Sequence, residues 1–192
     1  MSDANVSDKA IAILDSARIL MMDRGYNGFS FRDVAAEVGI KSASIHYHYA
    51  TKAALAEATA KAYRETFSKA LDGLEAAHAP GLLKAYGTLF VNSLRVQGGL
   101  CLGGVLAAET ATLPDQVREE VIKFFDAQDH WVSSVIQDGQ VKGEIRADLD
   151  SEAFAKMFVS GLEGAMMVSR GTKRPQDLEE ALDLLIRLAL PQ

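Results

Sequence analysis

Polar and basic side chains gather between residues 30 and 52 in a spacing suited to gripping a nucleic acid. Lys41-Ser-Ala-Ser-Ile-His-Tyr-His-Tyr49 presents Ser42, Ala43 and Ser44 first, then His46 and Tyr47. A helix entering the DNA major groove needs small residues at its N-terminal end for close approach, then donors that reach base edges and phosphates. Lys41 and Lys52 flank the run where phosphates would lie. Ser30 and Arg32 open the preceding helix, where backbone N–H groups and a cation favour phosphate. His46 and His48 raise the question of a metal. Two residues apart on a helix, they point roughly 200° from each other, and no Cys, Asp or Glu at a helical spacing completes a ligand set. No metal and no other cofactor is expected.

A second reactive group is the single cysteine, Cys101, in Gly98-Gly-Leu-Cys-Leu-Gly-Gly104. The glycines loosen a helix junction and would leave the sulfur reachable. Thiolate chemistry needs a helix N-terminus or a nearby cation, and Arg95 is the nearest candidate. The other reading is a small buried hydrophobe. One cysteine rules out an internal disulfide and fits a reducing cytoplasm. There is no Gly-x-Ser-x-Gly elbow, no phosphate loop and no nucleophile beside a plausible base, so an enzyme is not expected. The glycine pairs lack the strand–turn–helix setting of a nucleotide fold.

The elements that must position these groups are helices. Apolar residues recur at three and four, with almost no alternation of period two. The first helix is predicted from about Ser7 to Arg24, with Ile11, Leu14, Ala17 and Met21 on one face and Gly25 as its left-handed stop. Ser30 and Asp33 form the acidic counterpart of a capping box for the second helix, and the third covers about Ser42–Tyr49. Thr51 caps a fourth helix to about Ala77, followed by helices over 81–97, 103–111, 114–140, 151–170 and 175–189. Pro80, Pro114 and Pro175 read as first-turn prolines, and Asp150 as the cap of the helix after it.

Ala35, Gly39 and Ile45 decide how the second and third helices meet. Helices crossing near a right angle need a small residue at the crossing, a tight turn with positive φ, and an apolar residue facing back. Ala35, Gly39 and Ile45 meet these needs in order, with Val34 and Val38 as the partners of Ile45. A plain helical hairpin in a core fits the apolar spacing too; the polar face of the third helix favours a helix-turn-helix.

Charge divides along the chain. Residues 1–64 hold 8 Lys/Arg against 7 Asp/Glu, whereas residues 65–192 hold 12 against 19, so any DNA contact falls to the near-neutral head rather than the acidic body. At 48 % hydrophobic, the chain can bury a real core. No apolar run approaches the ~20 residues of a membrane span. The opening MSDANVSDKA carries acidic residues and no apolar signal region, so a cytoplasmic location is expected.

Gly25-Tyr-Asn-Gly-Phe-Ser-Phe-Arg-Asp-Val-Ala-Ala-Glu-Val-Gly39, followed by Ser44-Ile-His-Tyr-His-Tyr-Ala-Thr-Lys52, resembles the head of the TetR family of repressors. The likeness runs without a gap, except that His46 stands where the family usually has tyrosine. It implies that Arg32, Ser42, Ala43, Ser44 and His46 face bases, and that Ser30, Lys41, Tyr47 and Lys52 hold phosphate, with His48 a packing residue. It also implies an all-α fold: a three-helix helix-turn-helix head over residues 1–50 and a larger ligand-binding and dimerisation body over 51–192. The expected partners are a double-stranded, palindromic operator, a small-molecule effector and a second copy of the chain.

The body resembles the family in plan rather than in motif. Tyr86, Phe90, Leu94, Leu106, Phe125 and Trp131 offer apolar and aromatic walls for an effector, although pocket lining and ordinary core look alike in sequence. Cys101 followed by Glu109 resembles a subset of the family in which a cysteine here senses electrophiles or oxidants. The last two helices look too apolar for one buried face each. The family plan makes them a four-helix dimer bundle, with Phe158, Leu162, Met166, Leu182 and Leu185 expected at the contact and Gly161, Gly164 and Ala165 allowing close approach. The reading is a repressor released from its operator by an apolar, aromatic or electrophilic effector.

Overall fold

Gly25 and Gly39 set the course of the first third of the chain, since both hold φ in the left-handed region, at 74° and 71°. That region is nearly free for glycine and costly for residues with a Cβ. The computed structural model describes residues 3–97 and 99–191, so Gly98 lies outside the described residues. Among these the chain forms nine α-helices and no strand: α1 (Asp3–Arg24), α2 (Phe31–Val38), α3 (Ser42–His48), α4 (Lys52–Asp72), α5 (Ala79–Gln97), α6 (Leu102–Ala108), α7 (Asp115–Val141), α8 (Ser151–Thr172) and α9 (Gln176–Ala189). None is long and apolar enough to cross a membrane.

The helix ends follow their local signals. The Asp33 N–H donates to Ser30 Oγ at 3.3 Å, and the Ala54 N–H to Thr51 Oγ1 at 3.1 Å. Asp150 accepts from the N–H groups of Glu152 and Ala153, capping α8. At Gly39 the cap N–H reaches back to Ala36 O, and the Ile40 N–H bonds Ala35 O at 3.0 Å, closing the turn into α3. The fourth helix departs from expectation. It ends at Asp72 rather than near Ala77, because Gly73 carries the full backbone penalty of glycine and Leu74 N–H turns back to Leu71 O. The residues after it, although good helix formers, then have no turn to extend.

Two compact units result, and the division is not the one expected at residue 50. The first joins the chain up to Thr66 with Leu102–Phe124; the second joins Phe67–Cys101 with the chain from Phe125 onward. In the first unit Ile13, Ala17 and Met21 of α1, Val34 of α2, Ile45 of α3, Leu55 of α4, and Leu102 and Leu106 of α6 form the core, all at most 1 % exposed. Burying a side chain such as Ile45 contributes roughly 1.5–3 kcal/mol. Glu120, also buried, keeps its charge by pairing both oxygens, with Arg64 Nε at 3.0 Å and Lys123 Nζ at 2.7 Å.

In the second unit, α5, α7, α8 and α9 enclose Leu83, Tyr86, Val132, Ile136, Phe158, Leu162, Met166, Leu178 and Leu182, each fully buried. Helices α8 and α9 form an antiparallel hairpin through Lys173, a non-glycine residue at φ 58°, whose N–H bonds Arg170 O. Leu182 of α9 lies over Gly87 of α5, where a Cβ would overlap it.

Candidate nucleic-acid interface and effector site

The candidate surface is built from the inside out. Ile45 points into the first unit and is wholly buried, which turns the rest of α3 toward solvent. Lys41, Ala43, Ser44 and His46 are exposed, Ser42 is half-buried, and Tyr47 is 81 % exposed. An aromatic side chain that open on a small helix leaves most of its surface available to a partner. Ser30 and Arg32 are exposed at the start of α2. All the residues expected at a DNA surface thus lie in one helix-turn-helix and the first turn of α4.

Three of them carry neighbours that tune what they can do. The His46 ring stands edge-on to Phe31 at 4.6 Å, so the residue that departs from the usual tyrosine is braced by the first residue of α2. His48 is half-buried between Tyr47 and Tyr49, at ring distances of 5.2 and 6.5 Å. The Ser30 hydroxyl donates to Asp33 Oδ2, and this bond holds the Asp33 carboxyl below the usual carboxylate range. Lys52 is less free than its sequence position suggests. Its ammonium sits 4.7 Å from the centroids of both Tyr26 and Phe29. Partial burial there pushes its pKa down against the opposing pull of Glu109 and Asp33. Among the described residues, no cluster of three potential ligands includes His46 or His48.

The loop between α1 and α2 is held by a second set of bonds. Tyr26 N–H donates to Glu109 Oε2, and Asn27 Nδ2 donates to Thr112 Oγ1 at 2.8 Å. Glu109 and Thr112 lie in the turn after α6, so this turn fixes the loop that leads into the recognition motif.

In the second unit, several of the expected effector residues come together around Tyr86. Its ring stacks on Trp131 at 5.7 Å, packs on Phe90 at 5.3 Å and Phe158 at 5.9 Å, and meets Phe67 edge-on at 6.2 Å. The Tyr86 hydroxyl donates to Gln128 Oε1 at 2.6 Å. Burial raises the Tyr86 pKa well above its ordinary value, and the nearby Glu163, Cys101 and Asp129 raise it further. Leu94 is buried one turn beyond Phe90, and Phe125 is half-buried at the start of the second unit's share of α7. Leu106 is the exception, since it belongs to the core of the first unit, lining a small void with Tyr63, Leu102 and Phe124.

Cys101 is 3 % exposed, and its expected partner proves to be a different residue. Arg95 is engaged with Glu179 at 2.8 Å. Glu163 lies near enough for the Cys101 thiol to act on its carboxyl. An anionic neighbour disfavours thiolate rather than promoting it. Glu163 itself is buried and pushed up to about 7 by desolvation, with the Cys101 thiol opposing, and its Oε1 meets no partner. Sequence reasoning missed Glu163, Gln128 and Phe67. The available signal was Glu163 itself, the lone charge in Met157-Phe-Val-Ser-Gly-Leu-Glu-Gly-Ala-Met-Met167.

The expected dimer contact requires correction. Phe158, Leu162, Met166 and Leu182 are fully buried within the chain, and Leu185 is half-buried where it covers Gly161. The stripe periodicity that pointed to them marks the face packed inward. The apolar residues left open on the same helices are Met157, Met167 and Val168 on α8 and Leu184 and Leu188 on α9, between 41 % and 57 % exposed. Gly164, on the open side of α8, has nothing within 4 Å of where a Cβ would stand.

Residues 13–59 match the family described as "Bacterial regulatory proteins, tetR family", and residues 82–185 match "Tetracyclin repressor-like, C-terminal domain". The HTH-type transcriptional repressor DhaR of Mycobacterium sp. (strain GP1) is 25 % identical over 93 % of this chain and 91 % of its own length. The transcriptional regulator AcuR of Cereibacter sphaeroides is 25 % identical over 82 % of this chain and 74 % of its own. A crystal structure of a TetR-family regulator from Agrobacterium tumefaciens superposes with a TM-score of 0.93 at 27 % identity, covering 97 % of this chain and all of that one.

Proposed function

Because the chain belongs to the TetR family of transcriptional regulators, we propose that it is a cytoplasmic repressor that binds a palindromic operator as a homodimer and releases it on binding a small molecule. The observation that carries the reading is the arrangement of α3. Ile45 anchors one side while Ala43, Ser44, His46 and Tyr47 face solvent in the order a major groove requires. Arg32, Ser42, Ala43, Ser44 and His46 serve as base-facing groups, and Ser30, Lys41, Tyr47 and Lys52 hold the backbone.

Homodimerisation is supported by the open apolar face of α8 and α9, an unusual cost for a surface unless covered. Two recognition helices must also reach successive major grooves, about 34 Å apart. The effector binds in the second unit among Tyr86, Phe90, Leu94, Phe125 and Trp131, and shifts the population toward a state that fits the operator less well. The full-length relative DhaR bears the name of a repressor, which favours repression over activation. The test is binding to duplex DNA from the region upstream of the protein's own gene, at two salt concentrations. Saturable, salt-dependent binding with a preference for one sequence supports the reading; binding without sequence preference, or none, sinks it.

A further inference from the structure

Glu163 is a buried acid with unfinished hydrogen bonding. It sits on α8 between Leu162 and Gly164 and is 8 % exposed. The Cys101 thiol lies near enough to act on its carboxyl, yet Oε1 has no partner. The obvious internal donor is committed elsewhere, since the Tyr86 hydroxyl is turned to Gln128 at 2.6 Å. No Lys, Arg or His among the described residues pairs with it, although the other deeply buried glutamate, Glu120, has two such partners. An uncompensated buried carboxylate is costly, and an unsatisfied polar atom in a native core calls for a reason.

The surroundings suggest what would complete it. Glu163 and Cys101 lie close enough to Tyr86 to act on its hydroxyl, and Tyr86 is the centre of a cluster with Phe67, Phe90, Trp131 and Phe158. Aromatic faces attract cations, and more strongly when water is excluded. Phe67 and Trp131 are only half-buried, so the cluster reaches the surface of its unit.

We propose that Glu163 is the polar anchor of the effector site and that the effector is an organic amine, a protonated nitrogen carried on a small aromatic or apolar body. The inference rests on reading the second unit as the effector-binding body. The ammonium N–H donates to Oε1 and neutralises the carboxylate, while the rings take the rest of the ligand. A neutral alcohol supplies the hydrogen bond but leaves the charge uncompensated, and a carboxylate ligand is repelled. Cys101 then serves as a donor that holds the other end of the carboxyl.

The single tryptophan, Trp131, stacks directly on Tyr86 and reports binding by its fluorescence. Three probes of one shape, benzylamine, benzyl alcohol and benzoate, are titrated into the full chain and into Glu163→Gln. With the wild type near pH 8, benzylamine is expected to bind about tenfold or more tighter than the other two. The preference should disappear in Glu163→Gln, with benzyl alcohol changing less than about twofold. In the wild type, benzylamine affinity should fall as the pH drops below about 7 and the carboxylate is protonated. Equal binding of all three probes, no response to any of them, or a benzylamine preference that survives Glu163→Gln overturns the proposal. If Glu163→Gln melts too low to test, the wild-type ranking and its pH profile decide the matter. Duplex binding of the same samples separates the two readings: DNA affinity with no amine preference removes only this inference, and amine binding with no DNA affinity removes the repressor reading.

Discussion

Tyr26 and Glu109, 83 residues apart, are joined by a hydrogen bond from the Tyr26 backbone N–H to the Glu109 carboxylate at 2.5 Å. The bond ties the loop entering the helix-turn-helix to the turn after α6. Removing its acceptor leaves a part-buried N–H without a partner. Glu109→Ala is therefore expected to lower unfolding stability by about 1–3 kcal/mol in a denaturant titration. Duplex affinity should fall with it, because the loop that orients α2 loses its tether.

The same carboxylate separates two glycines. Gly25 and Gly39 have nearly equal left-handed φ, but a Cβ at Gly25 would overlap Glu109 while nothing lies within 4 Å at Gly39. Gly39→Ala should cost only the backbone penalty, about 1–2 kcal/mol. Gly25→Ala should cost measurably more, and Gly25→Ala combined with Glu109→Ala should recover part of the difference in thermal melts. Equal costs for the two single variants would show that Glu109 moves aside freely.

Lys41 and Lys52 should differ although both flank the recognition helix. Lys41→Ala should weaken binding alike on all duplexes and lower the salt slope by about one, with stability unchanged. Lys52→Ala should also lower stability, by about 0.5–1 kcal/mol, since its ammonium rests on Tyr26 and Phe29. Arg32→Ala should relax base preference. Fluorescence anisotropy at two salt concentrations, alongside melting curves, distinguishes the three.

Oligomeric state offers a sharp contrast between neighbouring residues. Met157→Glu and Leu184→Glu place charge on the open face of α8 and α9 and should yield folded monomers by light scattering, with helical content kept. Phe158→Ala, one residue from Met157 but packed on Tyr86, should instead lower stability by about 3–5 kcal/mol.

Stability should vary with pH through Glu163. Desolvation raises its carboxyl from 4.5 to about 7 in the folded chain, so the folded state binds the proton more tightly than the unfolded one. That contribution is complete below about pH 4.5 and lost as the pH rises through about 7. Relative to Glu163→Gln, the wild type should therefore lose about 3 kcal/mol between pH 4.5 and pH 8 in guanidinium unfolding without ligand. A pH-independent difference between the two would mean that Glu163 is compensated in solution.

The helix-turn-helix was legible because its determinants are short-range. Left-handed glycines at 25 and 39, a serine cap at 30, and the Ala35–Gly39–Ile45 spacing all act within a turn or two of themselves. Helix existence along the body was equally legible from periodicity, and the ends of α4 and α6 misled: good helix formers follow Gly73, and the expected helix to residue 111 stops at Ala108, where the chain turns. The side chains that carry the proposed chemistry of the body were harder to see. Tyr86, Phe90 and Trp131 could be named as aromatic, but neither their stacking nor the presence of Glu163 beside Cys101 follows from local order.

By itself, the sequence determined the helical class, the position of the recognition helix and the side of it that faces solvent. Those depend on backbone preference and on one apolar anchor, Ile45. Only the tertiary structure decided which stripe of α8 is core, that Arg95 is engaged by Glu179 rather than Cys101, and that Glu163 is buried with an unmatched oxygen. A helix apolar on two sides has no intrinsic preference for which side it buries. A buried charge takes its meaning from partners supplied, or withheld, by distant parts of the chain.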